Sequence, residues 1–246
     1  MPRNLTRGLL AGTFLLVLFA AWRAGPVFLY HSGVVATYPG ETITLRFHYS
    51  DWGLWPTRLT VRSFVGEGCE GIEIMDSSSH RGLAPGSKGL VEVKIRVTRE
   101  GSIAVRAAVV QLKGQEMVAP IGYVGLVSDQ GWTEDWSSGM KAVALDRSFL
   151  AVPDQTQLSL NVPIARGTAV EILAPEPPPG SRITIGPLER MSDSSTLNSR
   201  WQLDIPDDLW VASSCFLFRP VVRVSSEEEE SVELGPLLEI LTAVRR

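Results

Sequence analysis

Three histidines, His31, His48 and His80, are the only imidazoles in the chain. No two of them have ligand spacing on a single helix or strand, so they do not spell a metal site. The sequence contains no G-x-S-x-G, no P-loop and no H-E-x-x-H, so no nucleophile elbow, Walker-type phosphate cradle or zinc-protease helix is written locally. The stretch FHYSDWGLWP, residues 47–56, is different. Trp52 and Trp55 stand beside His48, Tyr49 and Asp51 just after a predicted strand. Aromatic rings exposed at a sheet edge can stack on sugar rings or anchor a protein partner. The same rings can instead cap a hydrophobic core. His48, Tyr49, Trp52 and Trp55 are therefore the candidate binding residues, and no catalytic, cofactor or metal residue is expected.

The elements that position this loop are strands. After residue 31 helical periodicity is nearly absent and apolar residues alternate with polar ones. TITLRFHY puts Ile43, Leu45, Phe47 and Tyr49 on one face. RLTVRSF puts Leu59 and Val61 inward. LVEVKIRV puts Val91, Val93, Ile95 and Val97 inward, with Glu92, Lys94 and Arg96 facing water. SIAVRAAVV continues with Ile103, Val105, Ala107 and Val109. Turn signals divide these runs at Pro39-Gly40-Glu41, Pro85-Gly86-Ser87 and Glu100-Gly101-Ser102. One polar face per strand implies antiparallel sheets wetted on one side, and two such sheets must pack together to hide their apolar faces.

The expected fold class is therefore all-β: two Ig-like antiparallel β-sandwich modules after an N-terminal transmembrane or signal helix. The expected division is residues 1–31 as anchor or signal segment, 32–127 as the first sandwich, 128–139 as a linker and 140–246 as the second sandwich. YPGETITLRFHY and GLAPGSKGLVEVKIRVTREGSIAVRAAVV resemble the Ig-like β-sandwich modules of bacterial surface and periplasmic proteins. The resemblance covers residues 33 to about 127. It implies a sandwich and brings no catalytic residues with it.

Before the strands, Arg3 and Arg7 precede an uncharged run from Gly8 to Trp22, rich in Leu, Phe and Ala. This is the layout of a secretory signal or a membrane anchor. Phe19-Ala20-Ala21 and Trp22-Arg23-Ala24 each lack the small first residue of an A-x-A-like cleavage site. The run is shorter than the about 20 residues that usually span a bilayer, but Arg7 and Arg23 can extend their charges outward. The expectation is an uncleaved anchor over residues 8–22 with the bulk of the chain outside the cytoplasm. Secretion after cleavage is the alternative.

Composition narrows the partners. With 23 basic and 27 acidic side chains the net charge is −4, which argues against a broad nucleic-acid surface. Cys69 and Cys215 have no metal-type spacing, and Cys215, within CFLF, reads as a small buried hydrophobe. SSEEEES, residues 225–231, reads as a solvated hairpin tip rather than a calcium loop, because a straight run of glutamates does not converge on one ion. APEPPPGS, residues 174–181, reads as a stiff loop, and Trp132 and Trp136 as apolar plugs between modules. The expected function is a non-catalytic, membrane-anchored interaction, assembly or scaffold component of a cell envelope, with a protein partner there. The alternatives are a carbohydrate-binding module using the aromatic loop, with a glycan as ligand, and an envelope hydrolase without a recognised motif.

Overall fold

The computed structural model describes residues 26–51, 58–81, 87–132, 144–145, 149–152, 156–163, 169–173, 182–190, 196–204, 215–219, 221–225, 230–235 and 237–242. The expected membrane segment over 8–22, Trp52, Trp55 and Trp136 lie outside these residues, as do 174–181. Among the described residues no helix is long and apolar enough to cross a membrane.

The fold is all-β. Its first eight strands are β1 (Val27–Phe28), β2 (His31–Thr37), β3 (Thr42–Asp51), β4 (Leu59–Glu67), β5 (Ile72–Arg81), β6 (Ser87–Val97), β7 (Gly101–Leu112) and β8 (Gln115–Ser128). A single 3-10 turn, Cys69–Gly71, joins β4 to β5. Among the described residues ten further strands follow: β9 (Ala144–Leu145), β10 (Phe149–Val152), β11 (Thr156–Pro163), β12 (Ala169–Leu173), β13 (Arg182–Arg190), β14 (Thr196–Asp204), β15 (Cys215–Arg219), β16 (Val221–Ser225), β17 (Glu230–Leu234) and β18 (Leu238–Thr242).

Two sheets enclose the main core. One has the order β1-β3-β6-β5, and the other has the order β10-β18-β15-β2-β8-β7-β4. Alternation dictates what each contributes. Leu45 and Phe47 of β3 and Val91, Val93, Ile95 and Val97 of β6 are fully buried. They meet Leu59, Val61, Ile103, Val105, Val124 and Leu126 from the facing sheet in one hydrophobic cluster. The outward residues of the first sheet instead form cross-strand ion pairs, Arg46 with Glu92 at 3.0 Å and Arg96 with Glu73 at 3.4 Å. These are exposed and contribute little to stability.

The alternation breaks at several bulges, two of which alter the expected core. In β4 the register shifts between Val61 and Ser63, so Arg62 and Ser63 both face out and Phe64 turns inward. In β7 Arg106 and Ala107 do the same, and Ala108 and Val110 replace the expected Ala107 and Val109 in the core. An extra residue reverses the facing of everything after it, because side chains alternate with a period of two.

Strand β2 is buried along its whole length, which requires a neighbour on each side. On one side it pairs in parallel with β8, from His31 opposite Gly122 to Thr37 opposite Ser128. On the other it pairs in parallel with β15, from His31 opposite Cys215 to Val35 opposite Arg219. The sheet thus takes in chain from beyond residue 139. The remaining described strands form a sheet of order β13-β14-β11-β9 and another of order β12-β16-β17. Ser225 pairs with Glu230 to close the β16–β17 hairpin at the glutamate run. Trp132 packs against a small cluster of Ala36, Val221 and Leu234.

Candidate functional site

The aromatic loop begins at the end of β3, and alternation sends its first two residues to opposite faces. Tyr49 points inward and is 1% exposed. Its ring lies 5.9 Å from that of Phe28 and over Gly89, where any side chain would overlap it. Tyr49 is thus a core residue, and its ring is not presented to a ligand. His48 is partly exposed on the outer face. Its cross-strand neighbour Leu90 also faces His80 of β5. Of the four candidate binding residues, the structure places His48 at the surface and Tyr49 in the core.

His31, which carries no role in the sequence reading, sits beneath His48. Its ring is completely buried, 5.2 Å from Phe47 edge-on and stacked 6.2 Å from His48. Both ring nitrogens serve the backbone. Nδ1 lies 2.7 Å from the Leu29 carbonyl oxygen and donates to it, and Nε2 accepts the His48 amide N–H at 3.0 Å. Those partners assign the neutral tautomer protonated at Nδ1. Burial is the main cause that lowers the His31 pKa from 6.5 to about 4, and the nearby His48 adds to it. A ring held in this way joins β1, β2 and β3 and is already engaged at both nitrogens.

A second buried polar centre lies at the other end of β2. Glu41 follows the turn Tyr38-Pro39-Gly40, in which Gly40 takes a left-handed φ of 92°. Its carboxylate points inward. One oxygen accepts the Thr37 hydroxyl at 2.7 Å and the Tyr38 amide at 3.3 Å. The other pairs with the guanidinium of Arg219, which also donates to the Gly235 carbonyl at 2.7 Å and the Ala36 carbonyl at 3.4 Å. Both side chains are buried. A buried charge pair is tolerated only when its remaining hydrogen-bonding positions are filled in this manner.

Cys69 and Cys215 are not joined by a disulfide. Cys215 is fully buried in the main core. Cys69 is half-buried with its thiol directed at the Ala104 carbonyl, and burial together with Glu70 raises its pKa. Among the described residues no group of three or more His, Cys, Asp or Glu side chains could hold a metal ion. The chain matches no protein-family model, and no curated protein is significantly similar to it.

Glu41 and Arg219 are the residues that sequence reading missed. A signal existed: Arg219 ends the apolar run CFLF, where a charge needs a partner. Nothing local names that partner.

Proposed function

We propose that the protein is a non-catalytic, membrane-anchored component of a cell envelope whose extracytoplasmic, Ig-like β-sandwich architecture serves interaction or assembly. Two features support the location. Arg3 and Arg7 precede the apolar run Gly8–Trp22, and β1 begins at Val27, a few residues beyond it. A sandwich that starts so soon after an anchor is held against the membrane surface.

The observation that carries the non-catalytic reading is how the two buried polar centres are used. His31, Glu41 and Arg219 direct their polar atoms at backbone groups or at one another. A general base must instead have a free nitrogen or oxygen within reach of a substrate proton. These groups act as joints between strands.

Carbonate washing of native membranes, followed by external protease, tests the location. The protein should remain in the membrane fraction, and residues beyond about 31 should be accessible from outside. A soluble mature form starting near Ala24 or Gly25 overturns the anchor. Affinity capture of the intact protein from its own membranes tests the assembly role, which requires a stoichiometric envelope partner.

A further inference from the structure

The two wet faces of the first eight strands are built differently. On the outer face of the β1-β3-β6-β5 sheet, charges pair across strands, as in Arg46 with Glu92 and Arg96 with Glu73. On the outer face of β4, β7 and β8 the cross-strand rows are apolar. Val65, Ala107 and Pro120 form one row, and Val109 with Val118 forms the next, beside Ser63. Val65 is 42% exposed and Val118 62%. Pro120 is exposed as well, and the two β7 residues are half-buried. A contiguous apolar patch left to water on a sheet face marks an interaction site.

The rim of the patch is basic. Exposed Arg58, Arg62, Arg106 and Lys113 surround it, against Glu67 and Glu116. Arg62 reaches the neutral Gln111 at 3.0 Å, and the Arg106 guanidinium lies 5.4 Å from the centre of the Tyr123 ring. None of the four cations has a carboxylate partner among the described residues. Apolar side chains ringed by unpaired cations suit a surface that offers both hydrocarbon and phosphate, as an anionic bilayer does.

Position selects that occupant. Five peptide steps, at most about 18 Å when fully extended, separate Trp22 at the end of the apolar run from Val27. Strand β1 lies beside β8, and His31 pairs with Gly122, two residues beyond Pro120. The chain therefore enters the sandwich next to the patch. Elsewhere the same sheet face is covered from within the chain, since Ala36 of β2 packs with Val221, Leu234 and Trp132.

We propose that the outer face of β4, β7 and β8 rests on the bilayer that holds the apolar run. Val65, Val118 and Pro120 then lie at the boundary of headgroups and acyl chains, and the four cations meet anionic lipid phosphates. This inference rests on the anchor reading and adds which face of the sandwich the membrane covers.

Nitroxide labels on the reconstituted full chain test it. Cys69→Ser leaves only the fully buried Cys215. Val118→Cys or Lys94→Cys then places one label on the patch or on the opposite wet face. In vesicles of phosphatidylcholine with phosphatidylglycerol, the label at 118 should lose collisions with a water-soluble nickel chelate and gain them with oxygen. The label at 94 should stay open to nickel. Arg58→Gln, Arg62→Gln, Arg106→Gln and Lys113→Gln together should return position 118 to nickel access. A chain retained after carbonate washing whose label at 118 is as open to nickel as that at 94 overturns the docking and leaves the anchor standing. A chain that washes off overturns the anchor, and the docking with it. Loss of nickel access only at a high chain-to-lipid ratio, or only in native membranes, assigns the face to a second copy or to a protein partner and likewise overturns the proposal.

Discussion

Arg219 and Glu41 are 178 residues apart in the chain and form a buried ion pair at the end of β2. The pair ties the turn after β2 to the strand that completes its sheet. Each partner has further work: Arg219 holds the Gly235 and Ala36 carbonyls, and Glu41 holds the Thr37 hydroxyl.

Removing one partner should cost far more than the pair itself contributes. Arg219→Met leaves the Glu41 carboxylate buried and uncompensated, for a loss of about 3–5 kcal/mol. Adding Glu41→Gln to that variant removes the stranded charge and should recover most of the loss. Urea denaturation of the single and the double variant measures the difference. Equal stability of the single and double variants would show that the charge is not desolvated.

Stability should fall with acid in a window set by His31. Its pKa is about 4 in the folded chain and 6.5 when unperturbed. Above 6.5 both states hold a neutral ring, and the full contribution is present. Between 6.5 and 4 the unfolded chain takes up a proton that the folded chain refuses, so stability is lost as pH falls, by about 3 kcal/mol in all. His31→Gln removes this titration and should flatten the dependence between pH 7.5 and 4.5. An unchanged slope would assign the acid sensitivity to other groups.

Facing on β6 can be read from neighbouring residues. Val93→Asp puts a charge between the sheets and should cost several kcal/mol. Lys94→Ala, on the wet face, should change stability by about half a kcal/mol. Thermal melting of the two variants should separate them clearly, and coincident melts would reverse the face assignment.

The free edge of β4 is covered by serines. Ser79 Oγ accepts the Leu59 amide at 2.8 Å, and Ser77 Oγ accepts the Val61 amide at 2.9 Å. The edge strand β5 of one sheet thereby occupies donors on the edge of the other. Ser77→Ala with Ser79→Ala strands two amides, at about 1–3 kcal/mol each, and uncovers an edge that can pair with another chain. Light scattering at elevated temperature should show earlier aggregation than wild type. An aggregation onset identical to wild type would mean that water serves those amides equally well.

Much of the main core is legible in the sequence because β3 and β6 alternate without interruption. Ile43 to Tyr49 and Val91 to Val97 face as expected along their whole length. The reading drifts where one residue is inserted. Arg62-Ser63 and Arg106-Ala107 look like any polar and small pair, and the bulges they form appear only against their partner strands. The pairing of β2 with β15 leaves no local trace, since register between distant segments is fixed by shape and burial. Of the candidate binding residues, His48 and Tyr49 lie on a strand that the alternation finds, and Trp52 and Trp55 lie outside the described residues. Tyr49 satisfies both an aromatic-loop pattern and an inward alternation, and the inward position governs it. His31 reads as an ordinary polar residue before a short strand, and its role depends on backbone groups at Leu29 and His48 that only the fold brings together.

Strand β2 lies between two strands that run in its own direction. A pull on the amino-terminal side of the chain would pass β1 and reach this strand lengthwise. Parallel neighbours on both sides resist such a load in shear, so the seven register pairs with β8 and the five with β15 bear it together. A hairpin pulled from its open end would yield one bond at a time. The ion pair at Glu41 sits at the carboxyl-terminal end of the strand and opposes sliding like a latch. Under lengthwise tension the strand is thus gripped along its length, and its rupture is governed by a rate of forced unfolding and not by equilibrium stability alone.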